Sequence, residues 1–385
     1  MTTQKYKLSL DESRVAAARD IVLRFYRGEA LERTPFSFSV PSDKVGGWMH
    51  GCPYNFKEMI EDADKAVEGS VRAISHQSEA FPDSDWLPVF HTFYLGEGFV
   101  PSMFGARQYV IPEAPPYTEG RILSCIEEVE NLPARIDPRK DGWGPIYFDA
   151  VEKFLHATDC KVPVSVCDYQ SPYGVATKLI GNEELMFAMI DEPELAHRLL
   201  NIAADAIIDT VEALVALVGR ENVSFNPNLA IPGGATGTIL WDDYISVLSP
   251  ALHTEFCEPA NRRVYERFGR GHLHTCGPYF NGYIDAALAC GPVTLDISAM
   301  RGMAKGREDL LAFRRMTRER GVRIMGGIRP NPVHQCAHEA WEDFDEDFLK
   351  QMADGGLLLH DGGDAARGKW VREMCGRIPQ KAVRN

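Results

Sequence analysis

From Pro35 to the C-terminus the chain returns again and again to one pattern: a short run of branched apolar residues, a polar stop, then a longer segment with helical spacing. Runs at 35–40, 162–168, 222–226, 271–276, 293–297, 322–326 and 356–361 read as strands. Segments at 11–27, 183–218, 241–268, 281–290, 307–320, 341–354 and 369–376 carry apolar residues three and four apart and read as helices. A helix between successive strands implies a parallel sheet with right-handed crossovers, so the fold class is α/β. No Gly-x-Gly-x-x-Gly follows the first strand and no Gly-Lys-Ser/Thr phosphate loop occurs, which favours a closed (β/α)8 TIM barrel over an open doubly wound sheet. The eighth strand is expected within 41–145, a stretch rich in Pro, Gly and aromatics that includes Trp86, Tyr94, Phe99 and Tyr109. Residues 1–385 are expected to form one barrel domain, with insertions between about 30 and 145 covering the cleft.

Charge and cysteine usage narrow the function classes. A formal charge of -14 disfavours nucleic acid or an anionic membrane as the main partner, since both require a basic footprint. Nine cysteines without an apolar leader point to free thiols in a reducing cytoplasm. No apolar run is long enough to span a bilayer.

Polar residues collect where the strands end: Asp168, Asn226, Asn228, His274, Cys276, Asp296, Arg329, His360 and Asp361. In a barrel that rim is where an active site is built. Within Gly-His-Leu-His-Thr-Cys-Gly, strand alternation puts His272, His274 and Cys276 on one face, and zinc accepts both imidazole and thiolate. Plainer roles exist for each: Cys276 as a small apolar residue, Asp168 and Asp296 as helix caps, Asn226 before Pro227 as a turn residue. Arg314-Arg315 and Arg318-Glu319-Arg320 read as a solvated helix face.

Three further stretches carry a family resemblance: residues 29–35 (Glu-Ala-Leu-Glu-Arg-Thr-Pro), the middle section from Pro172-Tyr173-Gly174 to Asp191-Glu192-Pro193-Glu194-Leu195, and His274-Thr275-Cys276-Gly277 with the later 325–330 (Met-Gly-Gly-Ile-Arg-Pro). With these the chain resembles the uroporphyrinogen decarboxylase-like superfamily over nearly its whole length. The resemblance implies a (β/α)8 barrel, and either a decarboxylase or a methyltransferase that works with a corrinoid protein or a thiol acceptor. True decarboxylases of this superfamily carry Arg-Gln-Ala-Gly-Arg just after the first strand; here 41–48 read Pro-Ser-Asp-Lys-Val-Gly-Gly-Trp, without the arginines that would hold a polycarboxylate.

The methyltransferase branch implies zinc held by His-x-Cys and a late cysteine. His274 and Cys276 match the first part, but the late strand offers His360-Asp361, and Cys336 lies in the preceding segment. Either His360 completes an altered zinc site or the His-x-Cys pair stands without a metal. Asp168, Asp296 and Asp361 are then the available acids, and Asn226, Asn228 and Arg329 the expected substrate-binding groups. No Asp-x-His-x-x-Gly segment is present, so cobalamin would arrive on a partner protein. The small substrate would be a methoxy or methylamine compound, or a thiol acceptor. Homodimerisation stays open, as do a decarboxylase of a porphyrinogen or smaller carboxylate and a non-catalytic tetrapyrrole- or corrinoid-binding barrel.

Overall fold

The computed structural model describes residues 6–39, 51–226, 237–276, 283–296, 306–328 and 344–383. Apart from an antiparallel pair, Gln108–Tyr109 with Tyr117–Thr118, its strands are β1 Phe36–Ser39, β2 Val164–Ser165, β3 Val223–Ser224, β4 Thr238–Trp241, β5 Arg270–His274, β6 Thr294–Asp296, β7 Arg323–Gly326 and β8 Leu357–Gly362. One parallel sheet runs in the order β1, β8, β7, β6, β5, β4, and a second pairs β2 with β3.

Backbone hydrogen bonds join the two into a ring. Ile239 N–H donates to Phe225 O at 3.0 Å on one side. On the other, Phe90 bridges Val164 in parallel, while Asp85 N–H reaches Phe36 O at 2.7 Å. The segment at 85–90 thus supplies the strand that sequence alone places somewhere in 41–145. Counting β3 and β4 as one unit, because no helix stands between them among the described residues, the ring comprises eight β/α units.

The outer helices follow the sequence pattern with two differences. The span expected as one helix over 183–218 is two, Asn182–Asp191 (α5) and Pro193–Val218 (α6), because a proline cannot continue the hydrogen-bond ladder but suits a first turn. The segment expected as helix from 241 begins as the end of β4, passes a π-helical turn at His253–Cys257, and becomes the helix Glu258–Phe268 (α7). The other helices that matter below are Glu12–Tyr26 (α1), Pro172–Ile180 (α4), Arg307–Glu319 (α9), Glu346–Ala353 (α10) and Ala365–Gly376 (α11).

Alternation along the strands sorts the core. Leu357, Leu359, Ile324, Leu295 and Leu273 face the outer helices in one cluster. Leu358 and Met325 face inward and pack with Ile21, Val22, Phe25 and Tyr26 of α1. Asp11 caps that helix by accepting from Ser13 and Arg14 N–H groups. Arg323, the first residue of β7, donates to Tyr26 O at 2.6 Å, which fixes α1 across the N-terminal ends of the strands. The opposite end is left for chemistry.

His272 belongs to the inner layer, 1% exposed, with Nδ1 2.9 Å from Thr294 Oγ1. It is a satisfied core histidine rather than a companion of His274. Burial pulls its pKa down to about 4, outweighing the opposing charge of Asp296. A histidine depressed in the folded state contributes stability above the unfolded value near 6.5, and loses it as pH falls toward 4. We expect the wild type to lose about 2 kcal/mol more stability than His272→Asn between pH 8 and pH 5. Urea denaturation at the two pH values measures this; equal losses would contradict it.

Candidate metal site at the barrel rim

The site starts from a carboxylate that is not in it. Asp242 follows β4, is fully buried, and bonds His253 Nε2 at 2.8 Å; it accepts from Asn261 Nδ2 at 2.9 Å and Ser171 Oγ at 3.3 Å. Its own N–H donates to His274 O at 2.9 Å, so the ends of β4 and β5 are tied together. With Asp242 directed to the outer helices, Asp243 faces the rim. Its Oδ1 accepts from Cys276 N–H at 2.7 Å and lies 3.8 Å from His274 Nε2.

His274 is held from the other side. Asp296 Oδ2 is 2.6 Å from Nδ1, which leaves Nε2 toward the rim, 3.5 Å from Cys276 Sγ. One donor atom each from Asp243, His274 and Cys276 fall within 4.8 Å of one another. Burial pushes the His274 pKa down, but the bonds to Asp296 and Cys276 and the charges of Asp296 and Asp243 hold it well above its usual value. The bond to His274 draws the Cys276 thiol down, yet burial and the Asp243 charge prevail and raise it. The two groups therefore hold protons that a metal would displace.

The donor set fits zinc. Zinc takes thiolate, imidazole and carboxylate at about 2.0–2.3 Å, and two such ligands at a tetrahedral angle stand about 3.5 Å apart. The His274–Cys276 separation matches that edge, and Asp243 needs only a small movement. A carboxylate on the far nitrogen of a ligating histidine, as Asp296 provides, fixes its tautomer and raises its basicity. Three such ligands would leave a fourth tetrahedral position open.

Asp168 lies within the field of this cluster. It is 9% exposed and its Oδ1 accepts from Gln170 Nε2 at 2.8 Å. Burial raises its pKa to about 7; the Gln170 bond opposes this, the charges of Asp243 and Glu97 add to it, and His274 opposes it. Gln170 takes φ +63°, a left-handed conformation that costs a non-glycine residue about 1–2 kcal/mol.

Other expected site residues are placed elsewhere. His360 shares the inward face with Leu358, but β6 and β7 separate its strand from β5, and the donor cluster does not include it. Among the described residues, the third possible donor close to His274 and Cys276 is Asp243. Asp361 faces the outer layer: it accepts from Arg367 Nε at 2.9 Å, and that guanidinium stacks over Phe344 and Trp370. It fastens the end of β8 to α11. Asn226, 1% exposed, lies 3.7 Å from Met325 Sδ in the packed interior below the rim. Asn228, Arg329 and Cys336 lie outside the described residues.

Beyond Asp243, sequence reading missed Trp241, whose edge meets Phe93 and Tyr169 at centroid distances of 5.4 and 5.1 Å. It also missed Tyr244 against Tyr173 at 5.4 Å, and the Lys178–Glu97 ion pair at 2.5 Å. Asp-Asp directly after the branched run Thr-Ile-Leu-Trp was the available signal.

Among solved structures, a methyltransferase from Methanosarcina mazei superposes with a TM-score of 0.62 at 17% identity, over 90% of this chain and 92% of that one. At that identity the likeness speaks for the fold. No curated protein matches the sequence. The sequence profile of the family described as Uroporphyrinogen decarboxylase (URO-D) matches residues 17–353. With the closed parallel ring and the matched span in agreement, the chain belongs to the uroporphyrinogen decarboxylase (URO-D) family.

Proposed function

We propose that this chain is a zinc-dependent methyltransferase that moves a methyl group between a small methoxy, methylamine or thiol compound and a corrinoid carried by a partner protein. The observation that carries the reading is the Asp243, His274, Cys276 donor set at the rim, with Asp296 behind His274. The fold likeness to the methyltransferase from Methanosarcina mazei supports it.

Zinc, held by those three residues, would supply a Lewis acid to the substrate heteroatom at its fourth position. The protein's own groups do the rest. Asp296 keeps His274 Nδ1 protonated and Nε2 free to ligate. Asp168, with a pKa near 7, is about half protonated at neutral pH, and its protonated form can give the proton to the heteroatom that loses methyl. Trp241, in register with His274 and packed against Phe93, would supply apolar surface beside the transfer. A porphyrinogen fits this rim poorly. Its carboxylates would meet Glu97, Asp168, Asp243 and Asp296, while Lys178 is already engaged by Glu97.

Purified protein should contain about one equivalent of zinc by elemental analysis. Asp243→Ala, His274→Ala and Cys276→Ala should each lose it, and His360→Ala should keep it. Asp296→Asn should weaken zinc binding about 10–100-fold without removing a ligand. Retention of zinc by Asp243→Ala, or its loss in His360→Ala, would sink this ligand set.

Activity would be read as the spectral change of cob(I)alamin on methylation by methoxylated and methylamine donors. Because the required form of Asp168 is protonated, the rate should fall as pH rises through about 7. Asp168→Asn should cut the rate about 100-fold and flatten that limb while leaving zinc in place. Carbon dioxide release from a carboxylate substrate, without methyl transfer, would establish a decarboxylase instead.

A further inference from the structure

Arg314 sits in α9 beside Leu310, Leu311 and Thr317 and is 2% exposed, not on a solvated face as the arginine-rich sequence suggested. Its hydrogen bonds all go to neutral groups: Nε to Asp354 O at 2.7 Å, Nη1 to Thr317 Oγ1 at 2.7 Å and to Val322 O at 3.2 Å. Nη2 is buried and has no partner among the described residues. The nearby Asp354 carboxylate is engaged by Arg318. A buried guanidinium hydrogen-bonded to neutral groups, with its one nearby carboxylate, Asp354, shared with Arg318, is only partly compensated for its desolvation. Burial brings its pKa down to about 10, so it stays cationic at neutral pH.

A cleft of about 160 Å³ opens beside it, lined by Leu311, Arg314, Arg315, Arg318, Gln351 and Asp354. Arg315 is exposed and makes no hydrogen bond or ion pair among the described residues. Three guanidinium groups against one carboxylate leave two positive charges in excess. Gly355 is part of the construction: at φ +94° its position would put a Cβ 1.9 Å from Arg314 Nη2. Val322 and Asp354 precede β7 and β8, so the cleft lies at the N-terminal end of the barrel, away from the rim.

We propose that this cleft binds a small dianion of the phosphate class. Arg315 and Arg318 grip its oxygens in their planar forks, and the buried Arg314 charge beneath supplies the remaining attraction. Either free orthophosphate or the phosphomonoester of a larger molecule has this chemistry.

Thermal unfolding and isothermal titration of the full chain test it, with orthophosphate compared against potassium chloride at equal ionic strength. Phosphate should raise the unfolding midpoint beyond chloride. Arg315→Ala and Arg318→Ala, checked for fold by circular dichroism, should each weaken phosphate binding about tenfold, while His274→Ala binds as wild type. Glycerol phosphate binding as well as orthophosphate would point to a monoester, and orthophosphate alone to the free ion. A midpoint no higher in phosphate than in chloride, wild-type affinity in either arginine variant, or loss of binding in His274→Ala would overturn the proposal.

Discussion

The buried Asp242 carboxylate is the constraint on which the rim depends. Its partners come from three places: Ser171 at the start of α4, His253 in the π-helical turn, and Asn261 in α7. A carboxylate taken fully out of water is tolerable only when its lone pairs are met, and removing one partner costs more than the roughly 1–3 kcal/mol of a neutral group. The network therefore fixes the end of β4 against the helical layer. Asp243, the next residue, is thereby directed to His274 and Cys276. The Asp242 N–H bond to His274 O sets the height of the one strand against the other. The order of the donor set follows from a residue that never touches it.

Charge completes the arrangement. Asp168, Asp243, Asp296 and Glu97 gather around His274 and Lys178, so the described rim carries more acids than bases. Such a cluster relaxes by holding protons or by taking a cation. Asp168 relaxes by the first route, and its raised pKa reports the crowding together with burial. Asp243, with thiol and imidazole beside it, is arranged for the second. The same surroundings thus raise the pKa of one carboxyl and set another beside an imidazole and a thiol.

The barrel was legible because strand and helix periods differ and the chain keeps both clearly, from the apolar run at 322–326 to the stripe of α1. What sequence order conveys is a residue's height on the barrel, since every parallel strand ends at the same rim. Its position around the ring is set by strand order and register, which a single sequence does not expose. His360 thus stands at a strand end like His274, with β6 and β7 between the two strands. Asp243 was hidden for a different reason. Trp-Asp-Asp-Tyr leads into Ile245 and Leu248 at helical spacing, and Trp241, the last residue of β4, was absorbed into that helix together with Asp242 and Asp243. Arg314 could have been read: it lies four residues after Leu310 and three before Thr317, on the buried stripe. Its charge concealed its position.

The two ends of the barrel solve opposite problems. At the C-terminal rim the strand ends converge on polar side chains, and Trp241 pairs in register with His274 on the neighbouring strand. At the N-terminal end, Gly355 and Gly356 both adopt left-handed backbone, at φ +94° and +96°. A Cβ at Gly355 would strike Arg314, and one at Gly356 would come within 2.6 Å of Arg323 Cγ. The turn into β8 is thus built around two buried arginines. Arg323 reaches inward to the end of α1, and Arg314 reaches outward between α9 and the preceding loop. Replacing either glycine would strain the backbone and displace a cation together, so the pair couples closure of the barrel floor to the charge stored beneath α9.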